Sequence, residues 1–100
     1  MNLINEFDPI RIWATEKGIT DFSTREKQFL KLQEEVGELA KAILTNNREE
    51  VIDAIGDCVV VLTNIATFSN ITIEECVNSA YKIINNRNGK MHNGAFVKEL

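Results

Sequence analysis

The chain is poor in the residues that several classes of chemistry require. Its two cysteines, Cys58 and Cys76, have neither CxxC spacing nor histidines nearby. A disulfide framework and a zinc site are thereby excluded, and buried free thiols are expected. The one histidine, His92, has no companion at ligand spacing, so no catalytic role is expected of it and the Glu-x-x-His pairs of a di-iron bundle are missing. Long apolar runs are scarce too. The longest, Cys58-Val59-Val60-Val61-Leu62, soon gives way to Thr63 and Asn64, and the chain starts without a basic segment leading into an apolar one. Neither a membrane span nor a signal peptide is expected, and the expected location is cytoplasmic. Positive charge is in deficit, 11 Lys and Arg against 15 Asp and Glu for a net charge of −4. That balance argues against coating a nucleic acid polymer, while an anionic ligand stays reachable through a metal bridge.

What remains is an ordinary domain-sized chain, 100 residues with 44% hydrophobic and 26% charged. A chain of this size buries only about 60 to 65% of its unfolded surface, so packing against a copy of itself is expected. Its periodicity is helical, with no strand-like alternation, repeat or low-complexity stretch. Asp8-Pro9 reads as the start of a first helix that Gly18 stops, about residues 9–17. Ser23 with Glu26 forms a capping box for a second helix, 24–45, carrying Phe29, Leu32, Val36, Leu39, Ala40 and Ile43. Asn47 caps a third, 48–68, whose expected apolar face is Val51, Ile55, Val59, Leu62, Ile65 and Ala66. Thr72 with Glu75 caps a fourth, 73–86. The basic, glycine-containing segment from Arg87 to Gly94 reads as a loop, so residues 87–100 are expected to be a tail. The expectation is one all-α domain, a four-helix bundle with antiparallel neighbours, assembled as a homo-oligomer.

Two acidic clusters stand out, Glu34-Glu35-Val36-Gly37-Glu38 and Glu50 to Asp57. At about 100° per residue, Glu34, Glu35 and Glu38 fall within an arc of roughly 100°, and Glu50, Asp53 and Asp57 within roughly 60°. The short connection at residues 45–48 folds the two helices into a hairpin that brings Glu38 and Asp53 level with each other. Carboxylates so gathered repel unless a cation lies between them, and hard oxygen donors suit Mg²⁺ or Mn²⁺. The competing reading is a solvated acidic face.

The stretch Lys31-Leu-x-Glu-Glu-x-Gly-Glu-Leu-Ala40, followed by Ile55-Gly-Asp-x-Val-Val-Val-Leu62, resembles the MazG-like branch of the all-α NTP pyrophosphohydrolases. The signature of that branch is EExxE and then ExxD. The resemblance runs from Trp13-Ala14 and Gln28 to Arg87, Lys90 and Asn93-Gly94-x-Phe96-Val97-Lys98. It implies a MazG fold and Mg²⁺-dependent cleavage of a (d)NTP to (d)NMP and pyrophosphate by water attack on the α-phosphorus. It further implies that Glu35, Glu38 and Asp57 are metal ligands. Glu34 is implied to hold a second metal or orient the water, and the roles of Glu34 and Glu35 are exchangeable.

The signature is broken at Ala54, where a glutamate should stand three residues before Asp57. Asp53, one turn from Asp57 on the same face, is the closer substitute. Glu50 is the alternative, about 10 Å further along the axis from Asp57. Lys31, Arg87 and Lys90 are candidates for the polyphosphate, the last two acting in trans if the site lies near a subunit boundary. Trp13 is a candidate to stack on the base, with core packing as its other reading. A different class is also open: a helical nucleotide sensor or interaction module that lost one metal ligand at Ala54.

Overall fold

A computed structural model describes residues 3–99, with side chains from residue 6 onward. Each helix starts and stops on a local signal. Gly18, in the left-handed region at φ 83°, separates α1 (Leu3–Glu16) from a short α2 (Ile19–Phe22), a conformation that glycine adopts without steric cost. The Thr24 hydroxyl accepts the Lys27 N–H at 3.1 Å to open α3 (Arg25–Leu44). Asn46, at φ 53°, reverses the chain, and the Asn47 side chain accepts the Glu50 N–H at 3.2 Å to open α4 (Arg48–Phe68). Thr72 does the same for α5 (Ile73–Asn85) through the Glu75 N–H at 3.1 Å.

Four expectations need correction here. The described residues form five helices rather than four, the short α2 filling the stretch between Gly18 and Ser23 that was expected to lie between helices. The first helix begins at Leu3, so Pro9 lies inside it rather than at its start. Thr24 rather than Ser23 caps α3, because Ser23 is occupied in ending α2, its N–H donating to Ile19. Residues 87–100 are not a plain tail. Gly89–His92 (β1) and Ala95–Lys98 (β2) pair antiparallel, with Met91 opposite Phe96 and His92 opposite Ala95. Asn93 at φ 49° and Gly94 at φ 83° supply the two left-handed residues that a tight hairpin turn requires. The fold is therefore mostly helical with one small two-stranded hairpin, exposed along both strands.

The organising contact is the antiparallel seam between α3 and α4. On α3, half-buried Gln28, Leu32, Glu35 and Leu39 and buried Ala42 recur at three- and four-residue spacing. On α4, the facing stripe is Ala54, Asp57, Val61 and Asn64, also at helix spacing and buried or half-buried. The apolar face expected for α4 is covered only in part: Ala66 is buried and Val51, Val59 and Ile65 are half-buried, but Ile55 and Leu62 are exposed, as are Phe29, Val36 and Ile43 on α3. α4 is apolar nearly all round, so periodicity could not choose which side faces inward.

α4 is also long and apolar enough, by length and composition, to cross a membrane. In the fold it packs against α1, α2, α3 and α5, and it buries the polar side chains of Thr63 and Asn64. Ala14 of α1 is buried. Arg11 on the same helix grips Glu74 at the start of α5 through two parallel hydrogen bonds of 2.7 Å.

Candidate functional site

The seam opens at its loop end into an acid-walled cavity of about 400 Å³. Glu34, Glu35, Glu38 and Lys41 of α3 form one wall, and Glu50, Asp53, Ala54 and Asp57 of α4 form the other. The register follows from one cross-seam hydrogen bond, Asn64 Nδ2 donating to Gln28 Oε1 at 3.2 Å. Stepping along both helices from that bond sets Glu35 opposite Asp57 and Glu38 opposite Ala54. All the expected acids are thus brought together, and both Asp53 and Glu50 reach the cavity beside Ala54. Glu34 and Glu35 are not equivalent: the Glu35 side chain is 14% exposed and turned into the seam, whereas that of Glu34 is 63% exposed at the rim.

Six carboxylates and one lysine line this space, a surplus of negative charge that the local cations only partly offset. Lys31 Nζ lies 3.4 Å from both Glu34 Oε2 and Glu35 Oε1. The nearby charge of Glu34, with hydrogen bonds to both acids, raises the Lys31 pKa, so its ammonium stays charged. Among the described residues no three acids, cysteines or histidines converge closely enough to hold a metal as they stand. The donor set is nevertheless all carboxylate oxygen, the chemistry that suits a hard divalent cation, and it lines a cavity open to solvent. Burial pushes the Cys58 thiol up, and the charges of Glu35 and Asp57 push it further. A thiol held protonated in this way is a poor nucleophile.

A second cavity, of about 420 Å³, adjoins the first and shares Glu35 and Asp57 with it. Its other walls are Trp13 and Ile19, Lys27, Gln28 and Lys31 of α3, and Val60, Val61 and Asn64 of α4. Trp13 and Lys31 thus line one cavity beside the acids. Arg87 and Lys90 line neither cavity within one chain. Arg87 lies in a separate cleft with Asn86, Asn88, Lys98 and Glu99, and Lys90 is exposed on β1. His92 is exposed on the same strand.

Sequence reasoning missed Lys41, whose signal was its position three residues after Glu38 on the same face. It also missed Asn64, whose signal was a lone amide interrupting the apolar run of α4.

A family model for the MazG nucleotide pyrophosphohydrolase domain matches residues 23–92. An uncharacterized 18.2 kDa protein in the rep-hol intergenic region of Haemophilus phage HP1 is 40% identical over 62 residues, covering 62% of this chain and 38% of that protein. The chain thus spans less than two fifths of that relative's length. No solved structure matches. The family match extends from the end of α2 through the whole α3–α4 seam to β1, and on that ground the chain belongs to the MazG nucleotide pyrophosphohydrolase domain family.

Proposed function

We propose that the protein is an Mg²⁺-dependent pyrophosphohydrolase that cleaves a (d)NTP to (d)NMP and pyrophosphate. One observation carries this reading: a cavity walled by six carboxylates shares Glu35 and Asp57 with a cavity walled by Trp13 and side-chain amides. The pair supplies a cation-mediated phosphate site beside a space suited to a nucleobase. Glu35, Glu38, Asp53 and Asp57 would hold Mg²⁺, or Mn²⁺ in its place, with Glu50 as the alternative to Asp53. When bound, the metal neutralises phosphate charge and lowers the pKa of water.

The chain's own groups do the positioning. Glu34 at the rim orients the attacking water or holds a second cation. Lys31 and Lys41 offset charge on the phosphates. Water oxygen adds to the α-phosphorus, the bond to the α–β bridging oxygen breaks, and pyrophosphate departs. Trp13 stacks on the base.

The protein works as a homodimer or tetramer in this reading, with Arg87 and Lys90 reaching a neighbouring copy's phosphate site. Support comes from the large apolar side chains left exposed on α4 and α5, among them Ile52, Ile55, Leu62, Val77, Tyr81 and Ile84, a pattern that favours association. The proposal includes a cytoplasmic location, with neither membrane nor nucleic acid polymer as partner.

A second reading is favoured by Ala54, which lines the acid cavity and is only 4% exposed. Here the chain binds nucleotide without cleaving it, having lost one ligand. Pyrophosphate release from a panel of NTPs and dNTPs with Mg²⁺ or Mn²⁺, run beside Glu38→Ala, separates the two. Release that vanishes in the variant supports the hydrolase; nucleotide binding without release supports the sensor.

A further inference from the structure

Behind the second cavity lies a chain of three polar side chains. Gln28 Nε2 donates to Ser23 Oγ at 3.0 Å, and Asn64 Nδ2 donates to Gln28 Oε1 at 3.2 Å. Asn64 is 5% exposed and lines the cavity. Among the described residues no donor reaches Asn64 Oδ1, yet no fully buried side-chain polar atom lacks a partner. Oδ1 is therefore not sealed in the core, and the cavity is the open space that Asn64 lines. The far end of the chain is a hydroxyl, which donates as readily as it accepts, and each amide carries a donor and an acceptor related by a half-turn.

The whole relay can consequently run backwards with no bond lost. Ser23 Oγ–H then donates to Gln28 Oε1, Gln28 Nε2 donates to Asn64 Oδ1, and Asn64 Nδ2 faces the cavity. We propose that Asn64 reads the hydrogen-bonding edge of a nucleobase and that the reversible Ser23–Gln28 relay makes it indifferent to amino or carbonyl there. Cytosine and uracil nucleotides are then accepted alike. This inference rests on the nucleotide reading above. Asn64 touches the base, whereas Ser23, which does not line the cavity, is a positioning residue.

Fixing the relay tests it. Ser23→Asp places an acceptor-only group at the far end, which forces Gln28 Nε2 toward residue 23, Asn64 Nδ2 toward Gln28, and Oδ1 into the cavity. Gln28→Glu imposes the same direction from the middle and serves if the first variant folds poorly. The measurement is the affinity of dCTP and dUTP analogues with a non-hydrolysable α–β bridge, in Mg²⁺, alongside pyrophosphate release from dCTP and dUTP.

Wild type should bind the two within about threefold, and either variant should shift the ratio toward the cytosine nucleotide by about tenfold or more, as an unpaired buried acceptor rejects a carbonyl. Strong discrimination by wild type, or a ratio unmoved in both variants while pyrophosphate release persists, overturns the relay alone. A shifted binding ratio without pyrophosphate release upholds the relay and removes the hydrolase reading. Failure to bind either analogue overturns both.

Discussion

Replacing Glu74 with glutamine removes the charge from the grip that ties α1 to α5, and the structure sets the size of the loss. Arg11 meets Glu74 through two hydrogen bonds of 2.7 Å, with the two side chains 23% and 22% exposed. A pair this sheltered lies between the exposed class, worth up to ~1 kcal/mol, and the fully buried class, whose rupture costs ~3–5 kcal/mol. Arg11 keeps a second partner in Asp8, so its charge is not stranded when Glu74 is neutralised, which places the expected loss at ~1–2 kcal/mol. For a domain of this length that lowers the melting temperature by roughly 5–15 °C.

The pH dependence has a definite sign. Arg11 holds the Glu74 carboxyl below the usual glutamate range. Its stabilisation is therefore complete above the unfolded-state value and is lost as pH falls through the lower folded value. Thermal melts of wild type and Glu74→Gln at one fixed protein concentration should show a constant gap from pH 7 down to about 5, closing below about 4. A variant that melts within a degree of wild type at pH 7, or a gap that survives to the lowest pH at which both fold, would refute the reasoning.

The acid cavity supplies the remaining predictions. Asp57→Asn should stabilise the metal-free protein by ~0.5–2 kcal/mol, since it removes one like charge from the seam; denaturant unfolding with and without EDTA reads this. On the proposed reading Mg²⁺ should raise the melting temperature of wild type, and the same variant should lose most of that increase. Ala54→Glu should raise pyrophosphate release at limiting Mg²⁺ if that position lacks a working ligand; a fall instead, measured over a Mg²⁺ titration, indicates that Asp53 or Glu50 already serves there. Gly94→Ala should destabilise the β1–β2 hairpin by ~1 kcal/mol through its positive φ alone, as a new Cβ meets no atom within 4 Å. Faster amide exchange across residues 89–98 is the readout.

The helices were legible because their ends are written in local chemistry. Asn47 and Thr72 cap where their side chains reach the backbone, and Gly18 stops α1 where a left-handed residue is needed. The hairpin was not, because four-residue strands exposed on both faces offer too short an alternation to detect. Its one sharp signal was Asn93-Gly94, set between Met91 and Phe96. The acids of the site could be placed from helix geometry, and all of them reached one cavity. The inward side of α4 was legible only in part: Val51, Val59, Ile65 and Ala66 are at least half-buried, but the stripe facing α3 carries Asp57 and Asn64 while Ile55 and Leu62 face out. Where Arg87 and Lys90 lie within one chain, away from the acid cavity, was not legible either, since sequence distance from α4 says nothing about where the segment after α5 points.

Glu35 and Asp57 form the party wall between the two cavities, and this has a thermodynamic consequence. On the proposed reading, a cation drawing these carboxylates to one side would reshape the floor beneath Trp13 and Asn64, and a molecule resting on that floor would restrain the carboxylates in turn. Because such coupling is reciprocal, the factor by which the occupant of one cavity tightens binding in the other must be the same in both directions. On that reading, selectivity measured at saturating Mg²⁺ need not hold at scarce Mg²⁺, and the concentration of free divalent ion would become part of the protein's definition of its ligand.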